Sequence, residues 1–193
     1  MSKLREAFEK GEFAITAEMA PPKGTDLSHL AECAKLVIGR VHAANVTDNQ
    51  SAVMRTSSLA TCKMLKDLGL EPVIQMTGRD RNRIAIESEM LSAGFFGIDN
   101  LLALTGDHVC VGDHKQAKPV FDLDAVSILS TATMMNNGTD STGLELKGKT
   151  DFFLGACVTP EYDPIEVQLL KMEKKIKAGA KFFQTQAVYD IEH

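Results

Sequence analysis

The sequence predicts an α/β barrel, with about six β/α units in the chain. Three observations carry this expectation. Six short apolar-rich runs of strand length recur along the sequence. Amphipathic helical patterns separate most of them at intervals of about 30 residues, the rhythm of parallel strands joined by right-handed crossovers. Neither a G-x-G-x-x-G nor a G-x-x-x-x-G-K-[ST] loop stands directly at the C-terminal end of a run, which removes the usual support for an open, doubly wound nucleotide-binding sheet.

From the N-terminus, residues 1–11 predict a short amphipathic helix, because Leu4 and Phe8 lie one turn apart among charged residues. The segment lacks the apolar core of a signal peptide. The six strand candidates are residues 13–19, 41–47, 71–77, 99–105, 153–159 and 181–189. After the first comes a helix with Leu27, Leu30, Ala34, Val37 and Ile38 on one stripe and Thr25 or Asp26 as its cap. The next starts near Thr56 or Ser57 and stops at Gly69, where Leu65 and Leu70 suit a glycine C-cap. A third runs from about Arg81 to Ala93 and stops at Gly94. The fourth strand leads into a long loop, residues 106–120, then a helix from about Asp124 to Met135 and a polar stretch, residues 136–149. The last helix has Asp163 as cap, Pro164 at its first position, and Ile165, Leu169, Met172 and Ile176 on one face before Gly179.

Composition sets the class. The 193 residues are 44% hydrophobic and 24% charged, as in a globular protein, and are expected to form a single domain, residues 1–193. A net charge of -5 and the lack of a basic run exclude nucleic acid as the main partner. No stretch of about 18 apolar residues occurs, so no membrane span is expected. The four cysteines, Cys33, Cys62, Cys110 and Cys157, form no C-x-x-C pair, which fits free thiols of a cytoplasmic protein better than a zinc or iron-sulfur site.

Barrel active sites sit at the C-terminal ends of the strands, and here those ends are polar. They present Glu18 before Pro21-Pro22, Thr47-Asp48-Asn49, Gln75-Met76-Thr77 with Arg79 to Asn82, Thr105-Gly106-Asp107-His108, Thr159-Pro160-Glu161, and Gln184 with Gln186. The strings AEMAPPKG, NVTDN, QMTGRDRNR, LALTGD, VTPEYDP and KAGAKFFQTQAVYD, in this order, resemble methylenetetrahydrofolate reductase over nearly the whole chain. That family folds as a (β/α)8 TIM-type barrel holding FAD. The resemblance implies reduction of 5,10-methylenetetrahydrofolate to 5-methyltetrahydrofolate by hydride transfer from reduced flavin, with NADH or NADPH as a possible electron donor.

Roles follow position by position from the resemblance. Glu18 matches the general acid that protonates a folate nitrogen, a task favoured by apolar surroundings, which Phe13, Met19 and the two prolines are placed to supply. Asp107 matches the aspartate beside flavin and pterin. Gln186 matches the pterin-binding glutamine, whose amide donates and accepts at once. Thr47 and Lys175 match flavin-contacting positions, and Gly106 and Thr77 flank the same strand ends. Where many members have His, Arg, Tyr and Asp against the flavin, this sequence has Gln75, Thr105, Thr159 and Gln168. Arg79, Asp80, Arg81 and Asn82 resemble a subgroup of anaerobes, some of which work with an iron-sulfur partner subunit. These arginines either bind flavin phosphates or begin a solvated helix. His108, Cys110, Asp113 and His114 are metal-ligand types, but their spacing fits no standard zinc motif, and no metal is expected.

The six strands use the chain up to Tyr189, and a further helix would begin near His193. Two strands of the family barrel have no counterpart. The expectation is a truncated chain or one completed by a partner, an oligomer; an intact mass well above 21.0 kDa supports truncation, and a stable monodisperse monomer of that mass refutes it. The alternative to an enzyme is a non-catalytic flavin- or folate-binding barrel subunit of a larger one-carbon complex. A pterin-binding methyltransferase would need a corrinoid or zinc site with no trace in the sequence.

Overall fold

The computed structural model describes residues 2–189. Six parallel strands form one sheet in chain order: β1 (Thr16–Glu18), β2 (Ala43–Val46), β3 (Pro72–Thr77), β4 (Asn100–Leu104), β5 (Phe153–Val158) and β6 (Phe182–Thr185). Between them run α2 (Ser28–Val37), α3 (Ser58–Asp67), α4 (Arg83–Phe95), α5 (Ala125–Asn137) and α6 (Ile165–Lys177). A doubly wound sheet reverses its strand order at a switch point, whereas a barrel wall adds each strand beside the last. The observed order is the second, and the sheet curls into half of a TIM-type barrel. Among the described residues, β1 pairs with β2 alone and β6 with β5 alone.

Strand alternation sorts side chains between two cores. Ile74 and Met76 of β3, Leu101 and Ala103 of β4, and Leu154 and Ala156 of β5 face outward, where Leu65, Ile86, Met90, Ile128 and Leu129 of the helices cover them. Ala43, Val73, Leu102, Phe153 and Phe182 face inward. Helix α1 (Lys3–Lys10) closes this inner core from below. It begins at Ser2, whose hydroxyl accepts from Arg5 N, and ends at Gly11 in the left-handed region (φ 68°). Glu71 accepts from the backbone N–H groups of Lys3 and Leu4, a carboxylate on the positive end of a helix. The face carrying Leu4 and Phe8, as the sequence predicts, packs inward, with the Phe8 ring 5.7 Å from Phe153 and 5.8 Å from Phe182.

Several boundaries differ from expectation. β1 is only three residues long, and Phe13 is 88% exposed; a strand with one neighbour pairs only where that neighbour reaches. Likewise β6 stops at Thr185, although Gln186 N still donates to Val158 O. The start of a further helix near His193 lies outside the described residues. α4 starts two residues later than expected, capped by Asn82, and runs through Gly94. It ends where Gly97 takes φ 68°, and Gly94 instead gives close passage to Thr150, whose Cγ2 would lie 3.2 Å from an added Cβ. At α6 the cap position falls on Pro164 and not Asp163. The predicted stripe of α6 is also turned: Gln168 and Met172 face the protein, while Ile165, Leu169 and Ile176 are exposed. The predicted α2 cap residue Asp26 accepts from Ser28 N one step outside the helix, whereas Ser57 and Asp124, near the expected starts of their helices, cap α3 and α5.

Gly155 on β5 faces the inner core, and an added Cβ would lie 2.2 Å from Phe182 Cζ. Gly155→Ala is therefore expected to destabilise the fold by about 1–3 kcal/mol through overpacking, read as a lower denaturation midpoint with an unchanged denaturant slope.

Candidate active site

The inward residues at the strand C-termini, together with the loops that follow, enclose a cavity of about 460 Å³. β1 contributes Glu18, β3 contributes Gln75 and Thr77, β5 contributes Cys157, and β6 contributes Gln184 and Thr185, followed by Gln186. The loop after β2 adds Thr47 through Ser51, that after β3 adds Arg79, and that after β4 adds Gly106 and Asp107. Of the residues proposed from sequence, Glu18, Thr47, Gln75, Thr77, Arg79, Gly106, Asp107 and Gln186 thus meet in one place.

Others are brought elsewhere. Thr105 turns to the helix layer, where its hydroxyl accepts from Ala125 N at the start of α5. Lys175 reaches across α6 to donate to Cys157 O at 2.6 Å, and burial pushes its ammonium pKa down. Thr159 continues β5 beyond the cavity lining, and its carbonyl accepts from Tyr162 N. Gln168 is buried on α6.

The arginine cluster is not a solvated helix start. Arg79 is 2% exposed. Its Nε and Nη2 bind both oxygens of Asp80, Nη2 also donates to Asn49 O, and Nη1 donates to Asp107 O. Four bonds to protein groups occupy most of its five donors, so Arg79 ties the β2, β3 and β4 loops together. Its hydrogen bond to Asp80 holds the guanidinium pKa up. For Asp80, burial pushes upward, but the hydrogen bonds from Arg79 and Asn49 win and hold the carboxyl below its usual range. Arg81 bridges Asp48 and Glu89, and Asp48 accepts in turn from Thr77 N and Oγ1 at 2.8 and 2.9 Å. These ion pairs build the cavity wall.

Glu18 stands at the cavity edge and is exposed. Met19 is buried beneath it, but Phe13 points to solvent, so the expected apolar pocket around the carboxyl is absent from the described residues. Asp107 is also exposed. The loop of His108 to His114 packs on the loop after β2: Asp113 binds Lys23 and His114 and accepts from Met54 N. Among the described residues no three His, Cys, Asp or Glu side chains are grouped to hold a metal.

Two lining features escaped the sequence reading. Asn49, Ser51 and Ala52 all have positive φ, 43°, 56° and 56°, costly for residues with side chains and typical of functional loops. Gln184 was seen only as a strand-end residue; its inward direction follows from its two-residue spacing from Gln186.

The family model for methylenetetrahydrofolate reductase matches residues 3–193. The chain belongs to this family. Its fold is also similar to solved barrels of low identity. Two are crystal structures of 2,3-dimethylmalate lyase, a PEP mutase/isocitrate lyase superfamily member, both at 12% identity. The trigonal form gives a TM-score of 0.65 over 100% of this chain, and the triclinic form 0.61 over 96%. The chain spans 64% of the length of either. No helix among the described residues is long and apolar enough to cross a membrane.

Proposed function

We propose that this family member reduces 5,10-methylenetetrahydrofolate to 5-methyltetrahydrofolate with FAD as its hydride carrier. One observation carries the reading: a single cavity gathers Glu18, Asp107 and Gln186 from the ends of β1, β4 and β6. Their chemistry is that of a proton donor, an acceptor carboxylate and an amide that reads a mixed donor and acceptor edge.

The residues fit a bound flavin. The cavity lies within the roughly 300–1,000 Å³ of small-molecule sites. Thr47 is 3% exposed, lines the cavity, and its Oγ1 is buried without a partner, which supports a ligand group there. Thr47, Gln75 and Thr77 would hold the cofactor from the β2 and β3 side. Gly106 (φ 92°) would permit close approach along the backbone, since a Cβ there would crowd Thr77 at 3.1 Å. When bound, the flavin supplies the hydride that turns the methylene carbon into a methyl group.

The chain's own residues do the rest. Glu18 gives its proton to the folate nitrogen, so that the five-membered ring opens to an iminium electrophile. Gln186 orients the pterin edge, and Asp107 accepts a hydrogen bond from the ring. Arg79 keeps the Asp107 backbone in place through its carbonyl. Electrons come from NADH or NADPH in the same cavity, giving ping-pong kinetics, or from an iron-sulfur partner subunit.

The test is a visible absorption spectrum of the intact protein, followed by NADH without oxygen. Bound flavin that bleaches with NADH, and recovers its colour on adding methylenetetrahydrofolate, is the expected result. Bleaching only by a low-potential donor assigns the electrons to a partner. Protein that takes up no flavin, even on reconstitution, overturns the reading in favour of a non-catalytic barrel subunit.

A further inference from the structure

Gln184 stands at a boundary inside the half-barrel. Above it lies the polar cavity, and below it a smaller space lined by Leu4, Phe8, Ala14 and Phe182 together with Thr16 and Asn45. Its side chain shares the inward face with Cys157, its register partner on β5, and with Gln186 two residues on, about 7 Å along the strand. Its Oε1 is buried and, among the described residues, has no hydrogen-bond partner. A buried carbonyl oxygen left unpaired is uncommon and costly, and this one is an acceptor at the floor of a binding site.

The neighbouring groups do not satisfy it. Glu18 and Asp107 are carboxylates, acceptors like Gln184 Oε1 when ionised. Thr47, just after β2, and Thr16 and Asn45, which bond to each other and share the lower space with Gln184, place no donor on it either. Among the described residues no donor is placed on it, and an N–H brought by a ligand would complete it.

We infer that Gln184 is a second pterin-reading amide, whose Oε1 accepts a hydrogen bond from a ring N–H or exocyclic amino group of the folate while Gln186 holds an adjacent edge. This rests on the folate reading above and adds a specificity-determining residue to it. Two amides on one strand face give the site a donor-and-acceptor pattern that an analogue lacking that N–H cannot complete. Removing the amide relieves an unpaired polar atom in the free protein, so the ligand-free fold is not weakened by the change.

The test uses the intact flavin-loaded protein, with 5-methyltetrahydrofolate as the titrant and flavin absorbance as the signal. Gln184→Met, close in size, is expected to weaken folate binding roughly tenfold or more, with flavin retention and melting temperature no lower than wild type. Gln184→Glu keeps an acceptor and is expected to retain more affinity than the Met variant. Met and wild type binding folate equally overturns the inference alone, as does loss of flavin in place of folate, or a Glu variant as weak as Met. A wild type that binds flavin but no folate overturns the folate reading beneath it.

Discussion

Glu18→Gln is expected to slow methylenetetrahydrofolate reduction by roughly 10²–10⁴-fold, about 3–5 kcal/mol of transition-state stabilisation. Glutamine keeps the size and a hydrogen-bonding oxygen but has no acidic proton to give, so the loss isolates proton donation. Glu18 ends β1 opposite Asn45 of β2, and the inward direction is shared by Thr16, whose Oγ1 accepts from Asn45 Nδ2 at 3.2 Å. An exposed side chain on an edge strand contributes little to the fold, so stability should stay within about 0.5 kcal/mol. The decisive measurement separates the half-reactions by rapid mixing. Reduction of the flavin by its donor needs no proton on folate and should keep its rate, while reoxidation by methylenetetrahydrofolate slows. Equal rates for both proteins in the second half-reaction would remove Glu18 from the role of acid.

Arg81→Met should have the largest effect on stability, about 3–5 kcal/mol, because it strands two carboxylates at once. Arg81 donates to Glu89 at 2.5 Å and to Asp48, whose side chain is 3% exposed. Asp48 in turn anchors the end of β3 through Thr77, so the damage should spread to the cavity wall. The pH dependence has a definite sign. Burial pushes Glu89 above its ordinary value of 4.5, and the charge of Arg81 opposes that rise. With a folded pKa above the unfolded one, the native state holds more protons, so stability falls as pH rises through the window above 4.5. Without Arg81 the rise is larger and the fall steeper. Urea unfolding at pH 5 and pH 8 checks this: the deficit of the variant should grow with pH, and a constant deficit would mean that packing and not charge is what Arg81 supplies.

The sequence by itself determined the strand candidates, the helices between them and the polar character of their C-terminal ends, while the barrel order was expected from the missing nucleotide loops and the family resemblance. Strands and helices depend on local pattern: a short apolar run for each strand, an apolar face on most helices, and start signals near Ser57 and Asp124 that act within one turn. The family strings likewise lie at strand ends, so Glu18, Asp107 and Gln186 could be named before their meeting was visible. Only the tertiary structure decided what each polar group touches. Arg81 and Asp48 are 33 residues apart and Arg79 and Asn49 are 30 apart, and no pattern within one element reveals that such partners meet. The same holds for Thr105 turning to α5, Lys175 reaching Cys157 O, and the apolar stripe of α6 rotating off the sheet while Gln168 faces it. The physical reason is that burying an element needs only a face, whereas satisfying a charge or an amide needs a particular partner at hydrogen-bond distance. That partner is chosen by how the loops of β2, β3 and β4 fold over one another, and at Gln184 Oε1 the described chain supplies none.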